Sequence, residues 1–442
     1  RGRAMVRPET LALVLFAAQI AILEPRRPGG LRRDIALVLI AWAWINAHLS
    51  FVNGFAYLGF HVVTAWWEGR STATRDTVVG ADARRRAARL ACVGIAVLAI
   101  SFVNPFGVRG VLQPLAFLAG GRTEPIYATI SELGAIDWSV QWKSGLPLLM
   151  LGWPLLLVWR ARRHGLDLVE TLACVLFTAQ ALFSQRFKAS YAVVAAPWVA
   201  RALSEWLTLR RPTPLALPAL PRAVAASVLM VSLGVFEWTI PQFPLGVSLD
   251  LRHYPVAACD FIQKSGVRGR AFNDFWYGGY MEWRFWPDRG RLPFMDGHLE
   301  SGTEHDRTLY VLSQSDPAAW AQLDAEKRFD FLLLSPSAPS GADLRARLEA
   351  DSAWATVFID DAGVVMVSRG GPLDPLARKH AYRHLRVSQE AIESLLTRCA
   401  ADASLREEVM TECRRQIAES RFHTVAQQLL AVLDRMAVAG AQ

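Results

Sequence analysis

The sequence predicts a membrane all-α helical bundle, followed by a small extracytoplasmic α/β domain and a C-terminal helical segment. Three observations carry that expectation. Hydrophobic residues make up 52% of the 442-residue chain and charged residues only 20%, where about a quarter is usual in soluble domains. Seven apolar runs crowd into the first 240 residues. The charge is lopsided: residues 1–240 carry 25 Lys+Arg against 13 Asp+Glu, and the remainder 23 against 27.

The runs are Thr10–Leu23, Ile35–Trp67, Leu90–Val103, Leu146–Trp159, Leu166–Ser184, Ala189–Leu207 and Ala223–Ile240. A spanning helix needs about 20 such residues, so several runs must extend into polar flanks. Sixteen Trp fit membrane interfaces. Arginine clusters separate the runs: Arg26, Arg27, Arg32 and Arg33; Arg70 to Arg89; Arg160, Arg162 and Arg163; Arg210, Arg211 and Arg222. Positive charge favours the inner side. These loops are therefore expected to face the cytoplasm of a multi-pass protein in the bacterial inner (plasma) membrane. Ile35–Trp67 then folds as a tight hairpin, and everything after residue 240 is extracytoplasmic. Because the arginines lie between apolar runs instead of in one stripe, no nucleic-acid partner is expected.

The expected domains are 1–240 for the bundle, 241–372 for the α/β domain and 373–442 for C-terminal helices. Within the second, Val256–Lys264, Thr303–Leu312 and Pro317–Lys327 read as helices. Gly269–Asn273, Leu292–Met295 and Phe329–Ser335 read as strands, the last a continuous apolar run of the parallel-sheet kind. Trp354–Ile359 and Val364–Ser368 form a hairpin. Ser388–Ala401, Ser404–Glu419 and Phe422–Met436 have helical spacing, and these helices are a candidate surface for a protein partner. The first residues, Arg1-Gly2-Arg3, read as a fragment's start.

Chemistry-bearing motifs are few. Five cysteines show no CxxC or metal-like spacing, so no metal site or disulfide framework is expected. No phosphate loop, dinucleotide fingerprint or nucleophile elbow stands in its proper context. Polar residues beside apolar runs are the remaining candidates, since they are costly to bury. The hairpin apex carries Asn46 and His48, able to hydrogen-bond a phosphate or sugar hydroxyl. Arg7 and Glu9 precede the first run, and Arg186 and Lys188 occupy a short loop between two others; cations so placed suit a lipid phosphate. Glu132 and Asp137, near Trp138 and Trp142, and Asp274, within Asn273–Tyr280, are candidates for the acceptor side.

Taken in order, Arg7-Pro8-Glu9, Trp44-Ile45-Asn46-Ala47-His48, Asn104-Pro105-Phe106-Gly107, Arg186-Phe187 with Ala195-Ala196-Pro197, and Asn273-Asp274 with Gly278-Gly279-Tyr280 and Asp296-Gly297 form a pattern over about residues 5–370. It resembles bacterial polytopic glycosyltransferases of the GT-C class, the superfamily of protein mannosyltransferases and aminoarabinose transferases. The resemblance implies transfer of a sugar from a polyprenyl-phosphate carrier to an extracytoplasmic acceptor, without a cofactor. It implies that Arg7, His48 and Arg186 face the carrier phosphate. The family's catalytic carboxylate lies in a loop that would precede Arg1. A transporter or polymer-export protein and a non-catalytic envelope assembly factor are the alternatives.

Overall fold

The computed structural model describes residues 8–26, 29–71, 77–120, 123–142, 145–210, 219–238, 254–299 and 302–439. It is mostly helical and divides into two compact units. The first holds residues 1–123 and 127–245, the second residues 124–126 and 246–442.

The first unit begins with α1 (Pro8–Leu23), α2 (Leu31–Ile45), α3 (Phe51–Arg70), α4 (Val78–Ser101) and α5 (Val108–Ala119). Two short turns follow, α6 (Pro125–Ala128), whose first two residues are assigned to the second unit, and α7 (Trp138–Gln141). The unit continues with α8 (Leu146–His164), α9 (Leu168–Phe183), α10 (Lys188–Arg210) and α11 (Ala219–Trp238). Thr77 caps α4 by accepting from Gly80 N at 3.2 Å. Asp167 caps α9 by accepting from Val169 N and Glu170 N. Gly165 ends α8 at φ +80°, a conformation glycine reaches without the penalty of a Cβ. That turn delivers Asp167 to its capping position.

The core of this unit is aromatic. Phe16, Trp44, Tyr57, Trp153, Phe177, Tyr191 and Trp198 are buried together. Phe16 sits at the centre, with ring centroids 5.7 Å from Tyr57 and 5.5 Å from Phe177. A polar seam runs through this core. Gln19 Nε2 donates to Gly54 O at 2.8 Å, and Gln180 Nε2 to Asn53 Oδ1 at 3.1 Å. Gly54 permits the first contact, because a Cβ there would lie 2.7 Å from the Gln19 amide oxygen.

The expected membrane bundle is overturned. Among the described residues, no helix is long and apolar enough to cross a membrane. Several of the apolar runs yield helices that are short or charged. Helices α1, α2 and α9 have 16, 15 and 16 residues, fewer than a span requires. Helix α4 is long, but Asp82, Arg84, Arg85, Arg86 and Arg89 fill its first half. Helix α8 ends on Arg160, Arg162 and Arg163, and α10 carries Lys188, Arg201, Glu205 and Arg210. The multi-pass inner-membrane placement, and the extracytoplasmic placement of residues after 240, fall with it. The arginines that had marked one side of a bilayer meet carboxylates instead: Arg89 with Asp34 at 2.6 Å, Arg86 with Glu68 at 2.5 Å, and Arg26 with Asp167 at 2.7 Å. Large apolar side chains nevertheless stand exposed on this unit, among them Leu148, Leu151, Leu155 and Val175.

The second unit comprises α12 (Val256–Lys264), β1 (Ala271–Asn273), α13 (Gly278–Phe285), α14 (Glu304–Ser313), α15 (Pro317–Lys327), β2 (Phe331–Leu334), α16 (Ala342–Ala350), β3 (Trp354–Ile359), β4 (Val364–Ser368), α17 (Asp374–His380), α18 (Gln389–Ala401), α19 (Ala403–Glu419) and α20 (Thr424–Ala439). Its sheet has the order β1-β2-β4-β3. β1 and β2 run parallel, while β4 is antiparallel to both β2 and β3. The hairpin strands occupy the residues expected from the sequence, and both are apolar and buried along almost their whole length. Thr303 and Asp316 cap α14 and α15 through side-chain oxygens. The C-terminal helices belong to this unit: Asp361 N donates to Phe422 O, and Ser420 Oγ to Asp360 Oδ2 at 2.8 Å.

Leu292–Met295 is not a strand. Asn273, wholly buried, takes its place as a ladder partner. Its Oδ1 accepts from Phe294 N at 2.8 Å and Met295 N at 3.2 Å, and its Nδ2 donates to Met295 O at 2.7 Å. One side chain thus satisfies backbone groups that a neighbouring strand would otherwise meet. Removing it leaves several buried polar groups bare. Asn273→Ala is expected to destabilise the protein by about 3 kcal/mol. Thermal unfolding followed by circular dichroism should show the midpoint several degrees lower; an unchanged midpoint would contradict this role.

Candidate functional site

Three of the residues singled out in the sequence converge in the first unit. Glu9 lies in the first turn of α1, His48 in the turn between α2 and α3, and Arg186 in the turn between α9 and α10. Arg186 Nε donates to Glu9 Oε1 at 2.6 Å. Arg186 Nη2 lies 3.2 Å from His48 Nε2, and His48 Nε2 lies 3.7 Å from Glu9 Oε1. Sequence separations of 177 and 138 residues close into one knot.

Local structure holds each member. Ser50 N donates to His48 Nδ1 at 3.1 Å, and Ser50 Oγ lies 2.8 Å from the same nitrogen. Trp44 Nε1 donates to Ser50 Oγ at 3.1 Å, which ties the turn to the aromatic core. The imidazole plane is therefore set by its Nδ1 side. With Nδ1 accepting from Ser50, the ring proton sits on Nε2, which faces Glu9 as a donor. The Arg186 turn is anchored to the loop carrying Glu132. Ser184 Oγ donates to Glu132 O at 3.1 Å, and Gln185 N to Gly134 O at 2.9 Å. The knot thus combines a guanidinium, an imidazole and a carboxylate. That set can hold an oxyanion and move a proton beside it.

The other sequence candidates are placed differently. Asn46 is a helix-ending residue: its Nδ2 donates to Trp42 O at 2.8 Å and Val103 O at 3.3 Å. Lys188 Nζ donates to Gln185 Oε1 at 3.3 Å. Asp137 caps α7, accepting from Ser139 N at 3.0 Å and Ser139 Oγ at 2.6 Å. Asp274 lies in the second unit, where it accepts from Trp276 N at 3.1 Å. Burial pushes its carboxyl above the ordinary value, against that hydrogen bond. Arg7 lies outside the described residues.

The second unit also gathers Glu282, Asp296 and His298, whose donor atoms lie within 4.8 Å of one another. The Asp296 hydrogen bond raises the proton affinity of Glu282. The donor set suits a divalent cation, and no such site was expected from the sequence. Acidic groups at a surface often gather in this way without an ion.

Sequence reasoning missed a larger charged cluster, which begins where α1 ends. Arg160, almost fully buried, donates from Nη1 to Glu170 Oε2 at 2.5 Å and from Nε to Glu205 Oε2 at 2.9 Å. Arg26 Nη2 donates to both oxygens of Asp167, at 2.7 and 2.8 Å. Tyr57 Oη donates to Glu24 Oε1, and His61 Nε2 lies 3.4 Å from the same oxygen. The available signal was Asp167 and Glu170, two carboxylates inside a run otherwise apolar. Comparison with known proteins finds no match: neither a family model nor a curated protein aligns with the chain.

Burial acts on the two acids with opposite outcomes. For Asp167 it raises the pKa, but the Arg26 hydrogen bond and charge outweigh it, so the carboxyl lies below its ordinary value. For Glu170 burial prevails over the Arg160 charge, and the carboxyl lies above. A depressed carboxyl stabilises the fold above its unfolded pKa, near 3.9, and loses that contribution as pH falls through the folded value. Asp167→Asn is expected to cost about 2 kcal/mol at neutral pH. Its deficit against the parent chain should shrink as pH falls below the ordinary carboxylate range. Denaturant titrations at several pH values measure the gap; a deficit constant with pH would contradict the assignment.

Proposed function

We propose that the chain is part of a glycosyltransferase that takes its sugar from a polyprenyl-phosphate carrier. The observation that carries this reading is the Glu9–His48–Arg186 knot. As an acceptor hydroxyl bonds the anomeric carbon and gives up its proton, the bond from that carbon to a phosphate oxygen breaks, so negative charge grows on the departing phosphate, which can take up the proton. Preorganised N–H donors aimed at that charge lower the barrier. Arg186 supplies such donors, and Glu9 and His48 hold its guanidinium in place. The surroundings suit a donor with a hydrocarbon tail. Leu11 stands exposed two residues after Glu9, Leu49 beside His48, and Leu182 and Phe183 just before Arg186.

The test is transfer from a radiolabelled polyprenyl-phosphate sugar by the full-length protein. Arg186→Ala is expected to lower the rate by about a hundredfold, the usual cost of removing one donor to a developing oxyanion. Its helical circular dichroism should stay unchanged, since Arg186 lies in a turn and is partly exposed. Transfer at the parent rate would remove the knot from the site.

A further inference from the structure

A cavity of about 490 Å³ opens in the first unit, lined by Arg26, Thr64, Arg160, Asp167, Glu170 and Arg201 among others. Its volume falls in the range of small-molecule sites. It lies beyond the C-terminal end of α1, the end opposite Glu9, and a 16-residue helix spans roughly 24 Å at 1.5 Å per residue. It is thus separate from the knot described above.

An inventory of its polar atoms shows what is left unmatched. Arg160 spends Nε, Nη1 and Nη2 on Glu170 and Glu205. Arg26 engages Asp167 through Nη2 alone. Arg201 is half-exposed and lies 3.4 Å from Glu205 and 3.9 Å from Asp167, looser than its neighbours' pairs. Its guanidinium makes no hydrogen bond among the described residues. Glu170 is 1% exposed and Thr64 4%. Glu170 Oε1 and Thr64 Oγ1 are both buried without a hydrogen-bond partner. The Trp153 indole N–H is directed at the Glu170 carboxylate, without reaching full hydrogen-bond geometry.

Buried polar atoms are rarely left unmet. The surplus here has a definite chemistry: guanidinium donors of Arg26 and Arg201, a carboxylate oxygen of Glu170 and the Thr64 hydroxyl. We infer that this cavity is a binding site for a small hydroxylated oxyanion, a phosphate ester or carboxylate whose hydroxyls reach Glu170 and Thr64. Guanidinium forks match either anion. A bare anion satisfies only the arginines and leaves the buried Glu170 and Thr64 oxygens unmatched.

Isothermal titration of the full chain with glucose 6-phosphate, gluconate and inorganic phosphate tests this. At least one hydroxylated anion should bind saturably and more tightly than inorganic phosphate; the tighter of the two identifies the anionic group. Arg201→Gln should weaken that binding by about tenfold or more. Thr64→Val should weaken the hydroxylated ligand and leave inorganic phosphate unaffected. Arg186→Ala, at the far end of α1, should bind as the parent does. Circular dichroism confirms that each variant folds, and Arg201, being half-exposed, is safe to replace. No saturable binding of either hydroxylated anion, or parent-like binding by Arg201→Gln, would overturn the inference.

Discussion

A guanidinium taken out of water has to meet a carboxylate, and this requirement organises the first unit. An unpaired buried charge costs far more than a helix pair gains by packing. The unit meets the requirement at both ends of α1. At one end Arg186 closes on Glu9. At the other Arg26 closes on Asp167, and Arg160 on Glu170 and Glu205. These pairs join α1, α8, α9 and α10 across long stretches of sequence, so the aromatic core between them is held in register from both sides. Buried pairs of this kind add little net stability over apolar packing. Their contribution here is to fix which groups face which.

The same constraint separates two kinds of chemistry. The Glu9 knot contains a histidine whose Nδ1 accepts from Ser50 N and whose Nε2 faces the Glu9 carboxylate. The opposite cluster relies on arginines, which stay charged, and on two acids tuned in opposite directions by burial and pairing.

Sequence pattern served well where the governing forces are local. β3 and β4 are apolar runs on either side of the polar turn Asp360–Gly363, and α15 starts on Asp316-Pro317, so they were legible. Glu9, His48 and Arg186 were legible as candidates because each is a polar residue beside an apolar run. Their meeting was not, since nothing local encodes a contact across 177 residues. The arginine clusters misled for the same reason. They were weighed as loop charges facing a bilayer, while Asp34, Glu68, Asp167, Glu170 and Glu205 stood at the edges of the same segments. Counting those acids as partners turns a topology signal into an ion-pair network. Leu292–Met295 failed differently: its apolar pattern is real, but the side chain of Asn273 supplies the hydrogen bonds a strand would have sought.

The central claim is that the Glu9–His48–Arg186 knot receives a phosphate. The most direct measurement is the ³¹P resonance of a short-chain isoprenyl-phosphate sugar titrated with the full chain. The account requires a saturable shift that His48→Phe and Glu9→Gln each reduce sharply, with the variants still folded. A shift of the same size in both variants would show that the phosphate binds elsewhere.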